Sequence, residues 1–249
     1  MKRTYVITLG FCNARTFTAG MKALHDTVDM VPGNIRHLVL DQVYPLDHAS
    51  MVAAMHSYMD SSGCVTLLTV GRNLGLHEGF NHVFQHLGEL DDDDVVVGYD
   101  PDENPLTKGW LDAMLRVFDA DEKCGWLSLM SQPALEYMKQ NGCRDLVVGG
   151  EPVKVPGYSL INTVCAWRGS ALKAMGKFVE PHAYYGGIEG AMMPKLMGAG
   201  FWIGWMVNYG VAPLHDLADP EYKRYKRFHV GFDLPEFPGS FAEWCERKT

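Results

Sequence analysis

The sequence predicts an α/β domain built on a mostly parallel central sheet flanked by helices, a Rossmann-like arrangement. Three observations predict it. Short β-branched or apolar runs, each closed by Gly, Asn, Asp or Pro, alternate with stretches whose apolar residues recur at helical spacing. A chain of 249 residues with 47% hydrophobic content can bury one large core. No internal repeat, linker or low-complexity segment forces a second domain. Alternation of this kind places ligands beyond the carboxyl ends of the strands.

The runs 4–9, 36–40, 65–70 and 95–99 are the first four predicted strands. Between and after them, Phe80, Val83, Phe84, Leu87 and Leu90 recur at helical spacing, as do Trp110, Leu111, Met114, Leu115 and Phe118. Another apolar run covers 125–130. Residues 131–159 then turn polar and Gly/Pro-rich, with a hairpin expected at Val147 to Pro152 around Gly149 and Gly150, and are expected to form an insertion near the site. Strand-like 161–167 and 201–207 follow. The expected division is a domain over 1–215 and a tail over 216–249 packed on that domain.

Composition excludes several classes. The net charge of −8 and pI near 5.6 argue against a chain that binds polyanions over its whole surface. No apolar run approaches the roughly 20 residues of a membrane helix, and Met1, Lys2 and Arg3 lead straight into a strand pattern, so no membrane insertion and a cytoplasmic location are expected. Cys12, Cys64, Cys124, Cys143, Cys165 and Cys245 show no C-x-x-C spacing, which favours free thiols over zinc or disulfides.

The run from Asp94 to Pro105 carries the most chemistry. An apolar strand delivers Asp100 and Asp102, one residue apart, into a turn with Pro101, Asn104 and Pro105. Oxygen ligands on a short turn suit a hard cation such as Mg²⁺ or Mn²⁺, which keeps positions open for phosphate oxygens and neutralises charge on a departing diphosphate. The same residue types also populate ordinary turns.

The order of features over roughly residues 4 to 215 resembles the family 2 glycosyltransferases of the GT-A fold. Five segments carry the likeness: Gly10 to Arg15 after the first strand; Asp41-Gln42 after the second; Arg72-Asn73-Leu74-Gly75 with Gly79-Phe80-Asn81 after the third; the D-x-D turn followed by Pro105, Gly109, Trp110 and Leu111; and Trp167 to Leu172, followed by Tyr184-Tyr185-Gly186-Gly187-Ile188-Glu189. The resemblance implies a nucleotide-sugar-binding domain that transfers a sugar from a nucleotide-diphosphate sugar, a UDP-sugar being expected, to an acceptor hydroxyl with inversion. It implies a metal held by Asp102, with Asp100 on ribose or on the metal through water, and by a late histidine, His215. Asn13 and Asp41 would meet the nucleoside and Arg72 the phosphates. Asn13 also fits a helix cap, and Arg72 a solvated turn charge. Glu189 would be the general base, one methylene longer than the family's usual aspartate; Ile188 replaces the preceding acid, and Pro194 requires the following helix to begin late or kink.

Other features have plainer readings. His82 and His86, spaced i, i+4, are expected on a solvated helix face, and the acidic run 91–94 in a solvated loop. Lys223, Arg224, Lys226 and Arg227, interleaved with Tyr222 and Tyr225, form a solvated amphipathic helix, a lid on the donor diphosphate, or a track for nucleic-acid phosphates. The acceptor is open among a saccharide, a protein, a small molecule and hydroxymethylated pyrimidines in DNA. A catalytically inactive nucleotide-sugar binding module is the alternative from another class. A dinucleotide oxidoreductase lacks its G-x-G-x-x-G, and a nucleotidyltransferase its Gly-rich phosphate loop.

Overall fold

The computed structural model describes residues 2–30, 33–157, 164–176, 188–214 and 220. β1 (Thr4–Gly10) leads to α1 (Ala14–Thr27), β2 (Ile35–Asp41) to α2 (His48–Ser62), and β3 (Val65–Thr69) to α3 (Gly75–Leu87). β4 (Val95–Gly98) is followed by the short β5 (Glu103–Pro105) and α4 (Trp110–Ala120). Then come β6 (Cys124–Met130), α5 (Gln132–Asn141), the hairpin β7 (Arg144–Val148) and β8 (Glu151–Val155), β9 (Cys165–Arg168), α6 (Gly169–Met175), α7 (Ile188–Gly198) and β10 (Trp202–Pro213).

The strands lie in the order β3-β2-β1-β4-β9-β6-β10-β8-β7, with β5 pairing on β10. The β3–β2, β2–β1, β1–β4 and β6–β10 pairs are parallel, while β9 runs antiparallel between β4 and β6. Alternating side chains feed two cores. Val6, Val39, Val95 and Val97 face Phe17, Met21 and Leu24 of α1, Met51 and Met55 of α2, and Trp110 and Met114 of α4. Ile7, Leu9, Leu38, Leu40 and Val96 face Phe80 and Val83 of α3 and Met192, Met193 and Leu196 of α7. Because both faces are covered, β4 is an unbroken valine run instead of an alternating one. Each such buried side chain contributes about 1.5–3 kcal/mol relative to exposure.

Two expectations change. Residues 131–159 contain the helix α5, capped by Ser131, whose side chain accepts from the Ala134 N–H, and started by a proline in its first turn. The hairpin forms where expected, with Gly149 and Gly150 at φ 59° and 82°. Its tip rests on α4: Glu151 pairs with Arg116, and a Cβ on Gly149 would lie 2.6 Å from the Arg116 carbonyl oxygen. Val153 pairs with Met206, which lies opposite Leu129 near the end of β6, so the hairpin widens the sheet with its tip toward the carboxyl ends of β6 and β10. The acidic run is not wholly solvated either. Asp94 is fully buried and accepts from the Arg3 backbone N–H at 3.0 Å and Nη2 at 2.6 Å, while its carbonyl takes the Gly169 N–H at 2.7 Å.

Pro194 lies inside α7, which absorbs the missing backbone donor without ending. Among the described residues, no helix is long and apolar enough to cross a membrane. Cys12, Cys124 and Cys165 are buried free thiols, and Cys64 and Cys143 are free and partly buried. Residues 216–249, apart from 220, lie outside the described residues, and so does the expectation placed on them.

Candidate functional site

β3, β2, β1 and β4 are parallel neighbours, so their carboxyl ends form one edge. The strand ends and the loops leaving them carry Arg72, Asp41, Asn13 and Asp100 in that order. Strand spacing sets the first and last roughly 14 Å apart along the edge.

The D-x-D turn is held from three sides. Tyr99 is buried, and its hydroxyl donates to the carbonyls of Gly20 at 2.8 Å and Glu103 at 2.9 Å. Burial, and after it chiefly the nearby charge of Glu103, with Asp100 and Asp102 adding to it, pushes its pKa up, so the phenol stays a donor. The Glu103 N–H donates to the Asp100 carbonyl at 3.1 Å, which closes the turn. On the far side, β5 pairs antiparallel with the end of β10, Glu103 opposite Pro213 and Pro105 opposite Val211. A register shift between Met206 and Gly210 re-aims β10 from β6 to β5. The pairing ends with the Leu214 N–H on the Asp102 carbonyl at 2.6 Å, and position 215 is the next residue.

Gly20 lets α1 approach the turn: a Cβ there would lie 2.0 Å from the Pro101 carbonyl oxygen. Gly20→Ala would gain up to about 1 kcal/mol of helix propensity. The overlap with backbone costs more, typically about 1–3 kcal/mol. The variant is therefore expected to melt below wild type and to bind metal-donor complex more weakly. A melting temperature at or above that of wild type would show that the turn yields freely.

Asp102 is 8% exposed and Asp100 half-buried on this turn. Their hard oxygens, joined by Glu103 in the field felt by Tyr99, suit Mg²⁺ or Mn²⁺, which accept one or two carboxylates plus water and substrate phosphates. Among the described residues, no group of three or more His, Cys, Asp or Glu side chains is assembled around one ion position. His215 lies outside the described residues.

Asp41 is buried with both oxygens engaged, Oδ1 accepting from the Val43 N–H at 2.9 Å and Oδ2 facing His48 Nε2 at 3.1 Å. Val43 sits at φ 54°, a left-handed conformation that costs a β-branched residue on the order of 1–2 kcal/mol. Asn13 caps α1, its Oδ1 accepting from the Thr16 N–H at 2.8 Å. Arg72 is exposed and 3.7 Å from Glu78. Glu189 falls in the first turn of α7; its side chain lies outside the described set.

Two further residues at this edge were given no role by the motif reading. Gln42 is fully buried, its Oε1 accepting the Leu74 N–H at 2.9 Å, while its Nε2 has no partner among the described residues. His77, in the first turn of α3, is 3% exposed with neither ring nitrogen hydrogen-bonded among the described residues, and burial pushes its pKa down to about 4, so it is neutral. Unsatisfied buried polar groups are the kind that a ligand or water completes. The amide after a strand-end acid was a visible signal for Gln42, whereas nothing in the pattern marked His77.

No protein-family model matches the chain, and no curated protein matches its sequence. Solved structures do match. The mannosyltransferase PcManGT from Pyrobaculum calidifontis, in complex with GDP-Man and Mn²⁺, is similar with a TM-score of 0.61 at 15% identity, over 82% of this chain and 56% of that one. GalNAc-T7 with UDP, GalNAc and Mn²⁺ gives 0.63 at 8% identity, over 86% and 44%. S. aureus TarS 1-349 in complex with UDP-GlcNAc gives 0.56 at 12% identity, over 84% and 57%. The chain thus spans about half the length of the structures it matches. What is shared is the fold: this is a GT-A-type sheet and helix arrangement.

Proposed function

We propose that the chain is a metal-dependent, inverting glycosyltransferase that moves a sugar from a nucleotide-diphosphate sugar, a UDP-sugar, to an acceptor hydroxyl. One observation carries this reading: the Asp100–Asp102 turn is fixed at the carboxyl end of the central strand β4 by Tyr99, Gly20 and the β5–β10 pairing. Two of the three similar structures hold uridine ligands and the third GDP-Man, which supports a nucleotide-sugar and favours UDP.

Asp102 and His215 hold Mn²⁺ or Mg²⁺ in this reading, with Asp100 on the ribose or the ion's water. The ion supplies charge neutralisation for the departing diphosphate. Asp41, with Val43 and His48 fixing its carboxylate, accepts from the nucleoside. With the Asn13 side chain engaged in capping, that position offers the nucleoside mainly backbone. Arg72 reaches a phosphate by exchanging Glu78, a solvated partner, for it. Glu189 takes the proton from the acceptor hydroxyl.

The test is nucleotide release from a panel of UDP- and GDP-sugars with Mn²⁺, followed by acceptor pools that include saccharides, proteins, small molecules and hydroxymethylated DNA. Turnover with a UDP-sugar supports the proposal. Tight donor binding with no turnover on any acceptor would instead favour a binding module.

The DNA acceptor rests on the one basic, aromatic-interleaved segment of an acidic chain, and replacing Lys223, Arg224, Lys226 and Arg227 by Gln separates the possibilities. A lid on the diphosphate predicts lower donor affinity with every acceptor. A DNA track predicts normal donor hydrolysis, weaker DNA binding, and a slope of log affinity against log salt flattened by about 0.9 per lost phosphate contact. Wild-type behaviour in both assays would leave a solvated helix.

A further inference from the structure

We propose that His82 and His86 form a binding site for a borderline-soft divalent ion, Zn²⁺, Ni²⁺ or Cu²⁺, on the outer side of α3. The two residues stand one helical turn apart, with ring centroids 4.8 Å apart and planes tilted by 47°. His86 Nδ1 lies 2.9 Å from the His82 carbonyl oxygen. A carbonyl can only accept, so Nδ1 carries the proton, and in the neutral ring Nε2 keeps the free lone pair. This is how metal-bound histidines are commonly oriented, one ring nitrogen donating to a carbonyl and the other presented to the ion.

The neighbouring ring is equally available. His82 is partly buried and His86 exposed, so an ion can reach the pair from solvent. Two imidazole nitrogens, each roughly 2.0–2.1 Å from one ion, stand roughly 3 Å apart. Rings with centroids 4.8 Å apart reach that separation by rotating their side chains. Glu78, one turn earlier on the same face, faces Arg72 at 3.7 Å. Among the described residues, no third ligand joins the pair, so water completes the coordination.

Imidazole pairs favour Zn²⁺, Ni²⁺ and Cu²⁺, whereas the carboxylate turn at Asp100 and Asp102 favours Mg²⁺ and Mn²⁺. The chain would therefore hold two kinds of ion at separate places. This separation supplies the control.

Titrating the untagged full chain with Ni²⁺ or Zn²⁺ in a calorimeter is expected to show one site that Mn²⁺ does not fill. His82→Gln and His86→Gln should each weaken it about tenfold or more, while Mn²⁺-dependent nucleotide binding keeps its wild-type affinity. Undiminished Ni²⁺ binding in the double variant would overturn the proposal, as would a loss of Ni²⁺ binding in Asp102→Ala equal to that in the histidine variants. Electron paramagnetic resonance of Cu²⁺ on the wild-type chain gives an answer that does not depend on how the variants fold. Hyperfine coupling from two imidazole nitrogens supports the site, and its absence overturns it.

Discussion

Asp102→Ala is expected to abolish metal-dependent binding and turnover of the nucleotide-sugar while leaving the fold in place. The residue is 8% exposed, yet the contacts that fix its turn come from elsewhere: the Tyr99 hydroxyl, the close approach of Gly20, and backbone pairing of β5 with β10. The bond from Leu214 reaches the Asp102 carbonyl, which alanine retains. On the proposed reading the substitution removes one carboxylate from an ion that takes only one or two from protein. An ion that neutralises a leaving diphosphate is worth several kcal/mol, and each 1.36 kcal/mol is tenfold in rate, so a loss of roughly 10²–10³-fold is expected. Nucleotide release measured across a Mn²⁺ titration, alongside a melting curve, checks both halves. Turnover that keeps its wild-type Mn²⁺ dependence would remove Asp102 from the metal.

Glu189→Gln is expected to lower the transfer rate by roughly 10²-fold or more with donor affinity unchanged, because an amide keeps the shape and loses the proton acceptor. Glu189 lies in the first turn of α7, a helix that packs on the same face of the sheet as α3. A glutamate in that turn is also what a helix start favours on electrostatic grounds alone. The two roles part in the assay. A cap-like role predicts a lower melting temperature and an unchanged rate, and a donor-side role predicts that binding and rate fall together.

Much of the architecture was legible in the chain. Unbroken apolar runs such as Val95, Val96 and Val97 mark strands covered on both faces, and Phe80, Val83 and Leu87 mark a helix that covers one of them. The helix α5 was not legible, since its exposed positions carry the polar residues that also fill loops, and its signals reduce to a serine cap and one proline. Asp94 looked like one of four solvated acids, and only the return of Arg3, 91 residues away, buries it.

The candidate site divides in the same way. Which residue types stand at the strand ends, two carboxylates after β4, an acid after β2 and an asparagine after β1, was set by the sequence, because strand and turn preferences act over a few neighbouring residues. Whether each side chain is available was decided by tertiary contacts. Asn13 is engaged in capping α1, Asp41 is clamped between the Val43 N–H and His48, and Arg72 faces Glu78. The tightness of the Asp100–Asp102 turn depends on Gly20, from a helix some eighty positions earlier, and on Leu214, more than a hundred positions later. The orphaned groups of Gln42 and His77 likewise exist only because packing removed water from them. Local sequence chooses the chemistry carried to the edge. Desolvation and hydrogen bonding between distant segments decide which of it remains free to act.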